Sequence, residues 1–130
     1  MNTDPELDLQ YYSSELLSGL PFSAAVRVDR MLYLSGQIGI DASSKLVPGG
    51  IQAETRQAME NIRATLEQFG SSLDHVVKVT VMLADMSEWS EMNKVYVTFF
   101  DKHLPARSAL GANGLAMAAR VEIECIAVLR

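Results

Sequence analysis

Apolar and polar residues change rhythm along this chain, and the changes mark its elements. Residues 1–20 carry Pro5, scattered acids and a Ser-Ser-Glu segment, and read as a loose N-terminal arm with one short helical turn. Regular structure is expected after Pro21, so residues 21–130 make the domain. Residues 24–28 and 31–40 are β-rich runs, and Asp29-Arg30 between them reads as a tight hairpin. Residues 41–50, DASSKLVPGG, hold Asp, Ser, Pro and paired Gly, and read as a loop. From Ile51 the period lengthens. Ile51, Thr55, Ala58, Met59, Ile62, Leu66 and Phe69 recur at three- and four-residue steps, which predicts one apolar helical face stopped by Gly70.

Val76–Leu83 alternates again and predicts a strand with Val77, Val79, Val81 and Leu83 on one face. Ser87 is the expected N-cap of a second helix, with Glu88 and Glu91 in its first turn and Trp89, Met92, Tyr96, Phe99 and Phe100 as its buried stripe. Residues 121–129 form the final strand. The order is ββαβαβ, with an extra short strand near Arg107. Strands and helices alternate only in part, which predicts an α+β sheet with both helices on one face. The other face would carry Val, Ile and Leu side chains, and such an uncovered face predicts an oligomer.

The 130 residues suit a single domain. A net charge of -5, from 11 basic and 16 acidic residues, works against a nucleic-acid partner held by overall attraction. No run approaches the length of a membrane span, and the acidic start lacks the order of a secretory signal. One cysteine, Cys125, excludes an internal disulfide framework and a multi-thiolate metal site. The expectation is a soluble cytoplasmic protein.

Few polar residues keep apolar company, which narrows the candidates for chemistry. Arg107, in Pro-Ala-Arg-Ser-Ala, has small neighbours and can offer its fork to a carboxylate or phosphate, although a surface arginine or structural ion pair fits the same spacing. Glu122 and Glu124 share a strand face about 7 Å apart and can divide acid and base work, or simply form a solvated face. Cys125 sits on an apolar face and reads as an inert thiol. His75 and His103 have no ligand-like spacing. Gly36 ends a strand, which can mark close approach by a ligand. Residues 111–114, GANG, read as a turn.

Four segments together resemble the RidA/YjgF family: PFSAAVRVDRMLYLSGQIG, the helix with Glu60-Asn61-Ile62, VVKVTVMLADM, and PARS followed by VEIECIAV. The resemblance runs from Leu20 to the C-terminus in one register. It implies a chorismate-mutase-like mixed sheet backed by two helices, with three copies packed around a central barrel and a cleft at each interface. It also implies hydrolysis of reactive 2-imino acids, such as 2-iminopropanoate and 2-iminobutanoate, to 2-keto acids and ammonia, without cofactor or metal. By position, Arg107 would clamp the substrate carboxylate and Glu122 would orient the attacking water. Gly36 matches a glycine whose backbone approaches the ligand, and the Ala109 amide would be a second carboxylate donor. Trp89 and Asn93 match positions that line the cleft from the neighbouring chain. The chain departs from the typical deaminase in two of these places: Phe22 stands where a tyrosine is usual, and Ala109 where a cysteine is common. LAMAAR, residues 115–120, also lacks the proline and lysine common there. A non-catalytic trimer binding small carboxylates is the alternative, and a ribonuclease is opposed by the acidic charge.

Overall fold

The structure is a computed structural model that describes residues 6–130; the first five residues of the expected arm lie outside the described residues. Seven strands among the described residues share one sheet, β1 (Leu9–Tyr12), β2 (Ala25–Val28), β3 (Met31–Leu34), β4 (Gln37–Ile38), β5 (Val76–Leu83), β6 (Ala106–Gly111) and β7 (Val121–Val128). The helices are α1 (Gly50–Gln68) and α2 (Trp89–Tyr96). Strands run in the order β1-β2-β3-β7-β5-β6, with β4 also on β7. Only β5 and β6 pair in parallel, so the sheet is mixed, as the α+β reading requires.

Both helices cover one face. Ala58, Met59, Ile62 and Leu66 of α1 and Met92 and Tyr96 of α2 meet Val79, Val81, Leu83, Val121, Ile123 and Cys125 in a single core. The three-to-four-residue period of α1 therefore matches the residues it buries. Its stop is a Schellman motif: Gly70 takes φ +91°, the Ser71 N–H donates to the Leu66 carbonyl at 2.8 Å, and the Gly70 N–H reaches Glu67. Glu54, buried on α1, accepts from the Arg120 N–H at 2.9 Å and so ties the helix to the chain entering β7.

The structure departs from the sequence reading at five points. The expected buried stripe of the second helix is cut short: α2 ends at Tyr96, Phe99 and Phe100 lie beyond it, and Trp89 is exposed beside Arg107 rather than buried. The expected arm contains β1, which pairs with β2 and stacks Tyr12 on Phe69 with ring centroids 4.2 Å apart; the helical turn follows at Glu15–Leu17. The run 31–40 breaks at Ser35-Gly36 into β3 and β4. Val77 is exposed rather than buried, because a register shift between Val76 and Lys78 lets it bulge out of the alternation. Ser87 does not cap the second helix; the Asp85 carboxylate accepts from the Ser87 N–H at 2.9 Å and caps the turn that leads into α2. The hairpin at Asp29-Arg30 forms, with Asp29 at φ 52°, a conformation aspartate tolerates better than most residues.

Candidate active site

Arg107 lies on β6, where the parallel register sets it beside Val79 of β5. Val79 is buried beneath the helices, so the arginine leaves the sheet on the helix-covered face. There α2 meets it. Its Nη1 donates to Asn93 Oδ1 at 2.7 Å, and its guanidinium carbon lies 4.7 Å from the Tyr96 ring centroid and 5.8 Å from that of Trp89. Among the described residues it has no carboxylate partner. A partly buried guanidinium without an anion is poorly compensated, and an incoming carboxylate would complete it.

Ala109 follows two residues along the same strand face. The Ala112 N–H donates to the Leu83 carbonyl at 2.8 Å, and alternation along the ladder then turns the Ala109 N–H away from β5. Strand β6 ends the sheet, so that N–H faces a free edge. Arg107 and Ala109 thus offer a cation and a backbone donor side by side.

Glu122 belongs to the opposite face. Its partner across the ladder is Met82, and its neighbour Ile123 is fully buried in the core, so the carboxylate points to the open side. A Cβ at Gly36 would lie 2.1 Å from Glu122 Oε2. Glycine leaves the space that this carboxylate fills. The Ser35 hydroxyl donates to the Ser23 carbonyl at 2.5 Å, and the Ser35 N–H to that of Ala24 at 3.0 Å, which ties the Phe22 loop beside Gly36. Phe22 itself is 48% exposed. Burial pushes the Glu122 carboxyl above the ordinary glutamate value, and the Glu124 charge on the same face pushes it further.

The expected site residues therefore form two groups. Gly36 and Glu122 stand on the open side, with the exposed Phe22 in the loop tied beside Gly36, while Trp89, Asn93, Arg107 and Ala109 stand on the helix side. The structure sets Trp89 and Asn93 against Arg107 of their own chain, so any neighbouring-chain contribution is relative to Glu122. Tyr96, read from the sequence as core alone, also meets Arg107; its four-then-three spacing from Trp89 and Asn93 was the available signal. Cys125 is buried and its thiol is pushed up to about 12, first by burial and then by Glu124, so it stays protonated. His75 Nδ1 sits 2.7 Å from the Ser72 hydroxyl and His103 Nε2 lies 2.8 Å from the Asp74 carbonyl. A groove of about 680 Å³ between α1 and the segment near Ser13 contains none of the seven expected site residues.

The family model described as Endoribonuclease L-PSP matches residues 13–129. A Mus musculus protein named 2-iminobutanoate/2-iminopropanoate deaminase is 49% identical over 109 residues, which cover 83% of this chain and 81% of that protein. The crystal structure of yeast Mmf1 is 37% identical with a TM-score of 0.88, covering 95% of this chain and 100% of that one. The structure of E. coli TdcF with bound serine is 31% identical with a TM-score of 0.80, covering 85% and 89% of the two chains.

Proposed function

Because this chain belongs to the endoribonuclease L-PSP family, the RidA/YjgF proteins, we propose that it hydrolyses reactive 2-imino acids to 2-keto acids and ammonia, in clefts between copies of itself. One observation carries the reading. Arg107 lacks an anion and Glu122 lacks a hydrogen-bond or ion-pair partner among the described residues, and they stand on opposite faces of one sheet. A second copy that lays its open face against the Arg107 edge of the first brings the two together. Repeated round a closed ring, the same contact gives the homotrimer with three equal clefts. The open face, with Tyr33, Val77 and Leu110 exposed, supplies apolar area for it.

In such a cleft the Arg107 fork and the Ala109 N–H hold the substrate carboxylate. Glu122 accepts a proton from water as the water oxygen bonds to C2. The C=N electron pair moves to nitrogen, which takes up a proton, and a tetrahedral carbinolamine forms. Glu122 then gives its proton to the amino nitrogen, the C–N bond breaks, and the hydroxyl proton is lost as the carbonyl forms. One water is consumed and one ammonia leaves per imine. Glu122 suits this exchange because its raised pKa brings its proton affinity nearer neutrality.

The acidic net charge goes with small metabolites rather than nucleic acid as partners, and we place the enzyme in the cytoplasm. No helix among the described residues is long and apolar enough to cross a membrane. Phe22, which lacks the usual hydroxyl, favours a second reading in which the clefts bind carboxylates without turnover. The test couples a threonine dehydratase, which releases 2-iminobutanoate, to keto-acid formation. We expect the wild-type chain to accelerate the hydrolysis. Glu122→Gln should lower turnover by about 10²-fold with 2-oxobutanoate affinity retained. A wild-type protein that binds 2-oxobutanoate without accelerating hydrolysis establishes the second reading; one that does neither overturns both.

A further inference from the structure

Helix α2 carries Trp89, Asn93 and Tyr96 at steps of four and three, so they stack on one face. Facing them is the guanidinium of Arg107, gripped on three sides. Asn93 takes the Nη1 hydrogen, the Tyr96 ring lies under the cation, and Trp89 stands nearer the solvent. Among the described residues Nε and Nη2 have no hydrogen-bond partner, so that edge of the fork stays open. Tyr96 is only 5% exposed, and its hydroxyl, also buried, has no hydrogen-bond partner among the described residues. A hydroxyl left so costs stability, and the contact that Tyr96 makes with Arg107 is through its ring. Burial pushes the phenol up to about 12, so the ring stays neutral, with an electron-rich face toward the cation.

We infer that Tyr96 is a positioning residue, whose ring holds the plane of Arg107 so that its free edge is already aimed at a substrate carboxylate. The inference rests on the carboxylate-binding role proposed for Arg107. An arginine on an edge strand has many rotamers to lose on binding, and a guanidinium fixed beforehand has fewer. A preorganised clamp acts on the affinity for the carboxylate more than on the proton transfers at Glu122. Tyr96 touches no reacting atom in this scheme.

The experiment compares Tyr96→Leu, Tyr96→Phe and Met92→Leu with the wild-type protein. Met92 is fully buried on the same helix, is neither a hydrogen-bond nor a ring partner of Arg107, and serves as the packing control. We expect Tyr96→Leu to raise KM and the Kd for 2-oxobutanoate about tenfold, the scale of a partly desolvated cation–π contact, while kcat changes little. Tyr96→Phe, which keeps the ring, should restore the wild-type KM and melt no lower. Met92→Leu should shift the melting temperature alone. A second readout needs no substrate: ¹⁵N relaxation of the Arg107 Nε–H should show a rigid group in the wild-type and Tyr96→Phe proteins, and an order parameter below about 0.6 in Tyr96→Leu. If the relaxation data hold but no variant, wild type included, binds 2-oxobutanoate, the positioning stands and the proposed function fails. An Arg107 equally rigid in Tyr96→Leu overturns the inference, as does a Tyr96→Phe that loses as much affinity as Tyr96→Leu.

Discussion

Adding one methyl group at Gly36 tests whether the position of the Glu122 carboxylate matters. The Gly36 backbone has no positive φ, so alanine meets no conformational barrier there and acts only through space. Its Cβ would lie 2.1 Å from Glu122 Oε2, 2.9 Å from Cδ and 3.0 Å from Cγ, against 3.4 Å for ordinary contact. Each of these atoms belongs to the outer part of a side chain that can rotate. The carboxylate must retreat by over 1 Å, and a side chain held off its rotamer costs about 0.5–1.5 kcal/mol. In a domain of this size that lowers the melting temperature by roughly 2–6 °C. Turnover should suffer much more, since displacing a reacting group by about 1 Å can cost about 10²-fold. Affinity for 2-oxobutanoate should change little, because Arg107 is fixed on the other face. Coupled deamination, calorimetric titration with 2-oxobutanoate and thermal melting separate these effects. Wild-type turnover in a folded Gly36→Ala protein would refute the placement of Glu122 at the reacting carbon.

Three further outcomes follow from the same geometry. Gly39→Ala sets a Cβ 2.6 Å from the Glu54 carbonyl oxygen and 2.7 Å from its Cα, backbone atoms that cannot rotate aside, so thermal melting should show a loss of about 1–3 kcal/mol or more with normal turnover per folded chain. Ala118 follows Met117 in left-handed backbone at φ 56°, so Ala118→Gly should raise stability by about 0.5–1 kcal/mol; a clear fall in the melting temperature would contradict the strain. The Glu124 charge opposes ionisation of Glu122, so the acid limb of the kcat/KM profile should move to lower pH in Glu124→Gln, and a limb that stays or rises would show the two carboxylates to be uncoupled.

Local period made much of the fold legible. The apolar steps from Ile51 to Leu66 require a helix whatever lies around them, and Gly70 supplies the left-handed residue that ends it. The elements that sequence reading missed or blurred draw their identity from partners. Residues 9–12 become a strand through β2 and the stacking of Tyr12 on Phe69, neither of which leaves a local pattern. Strand β6 reads only as a short piece near Arg107, since Ala, Arg, Ser and Ala have no alternation to reveal it. Val77 misled because a bulge breaks the alternation without changing the residues that suggest it. The site shows the same division. Residue type and spacing leave Arg107 and Glu122 open between chemistry and an ordinary surface role, and the family resemblance singles them out. Their opposite faces depend on two register pairs, Val79 with Arg107 and Met82 with Glu122. Long-range pairing of that kind is set by the folded sheet.

The central claim, a site assembled from the Arg107 face of one chain and the Glu122 face of another, has a direct test in subunit mixing. Arg107→Ala and Glu122→Gln chains, each expected to be nearly inactive alone, are unfolded together at equal concentration, refolded and assayed for 2-iminobutanoate hydrolysis. In a ring with random mixing, about a quarter of the clefts join an intact Arg107 to an intact Glu122, so the mixture should recover about a quarter of wild-type turnover. A refolded mixture as inactive as either parent, with hybrid oligomers demonstrated by mass, would contradict a site shared between chains.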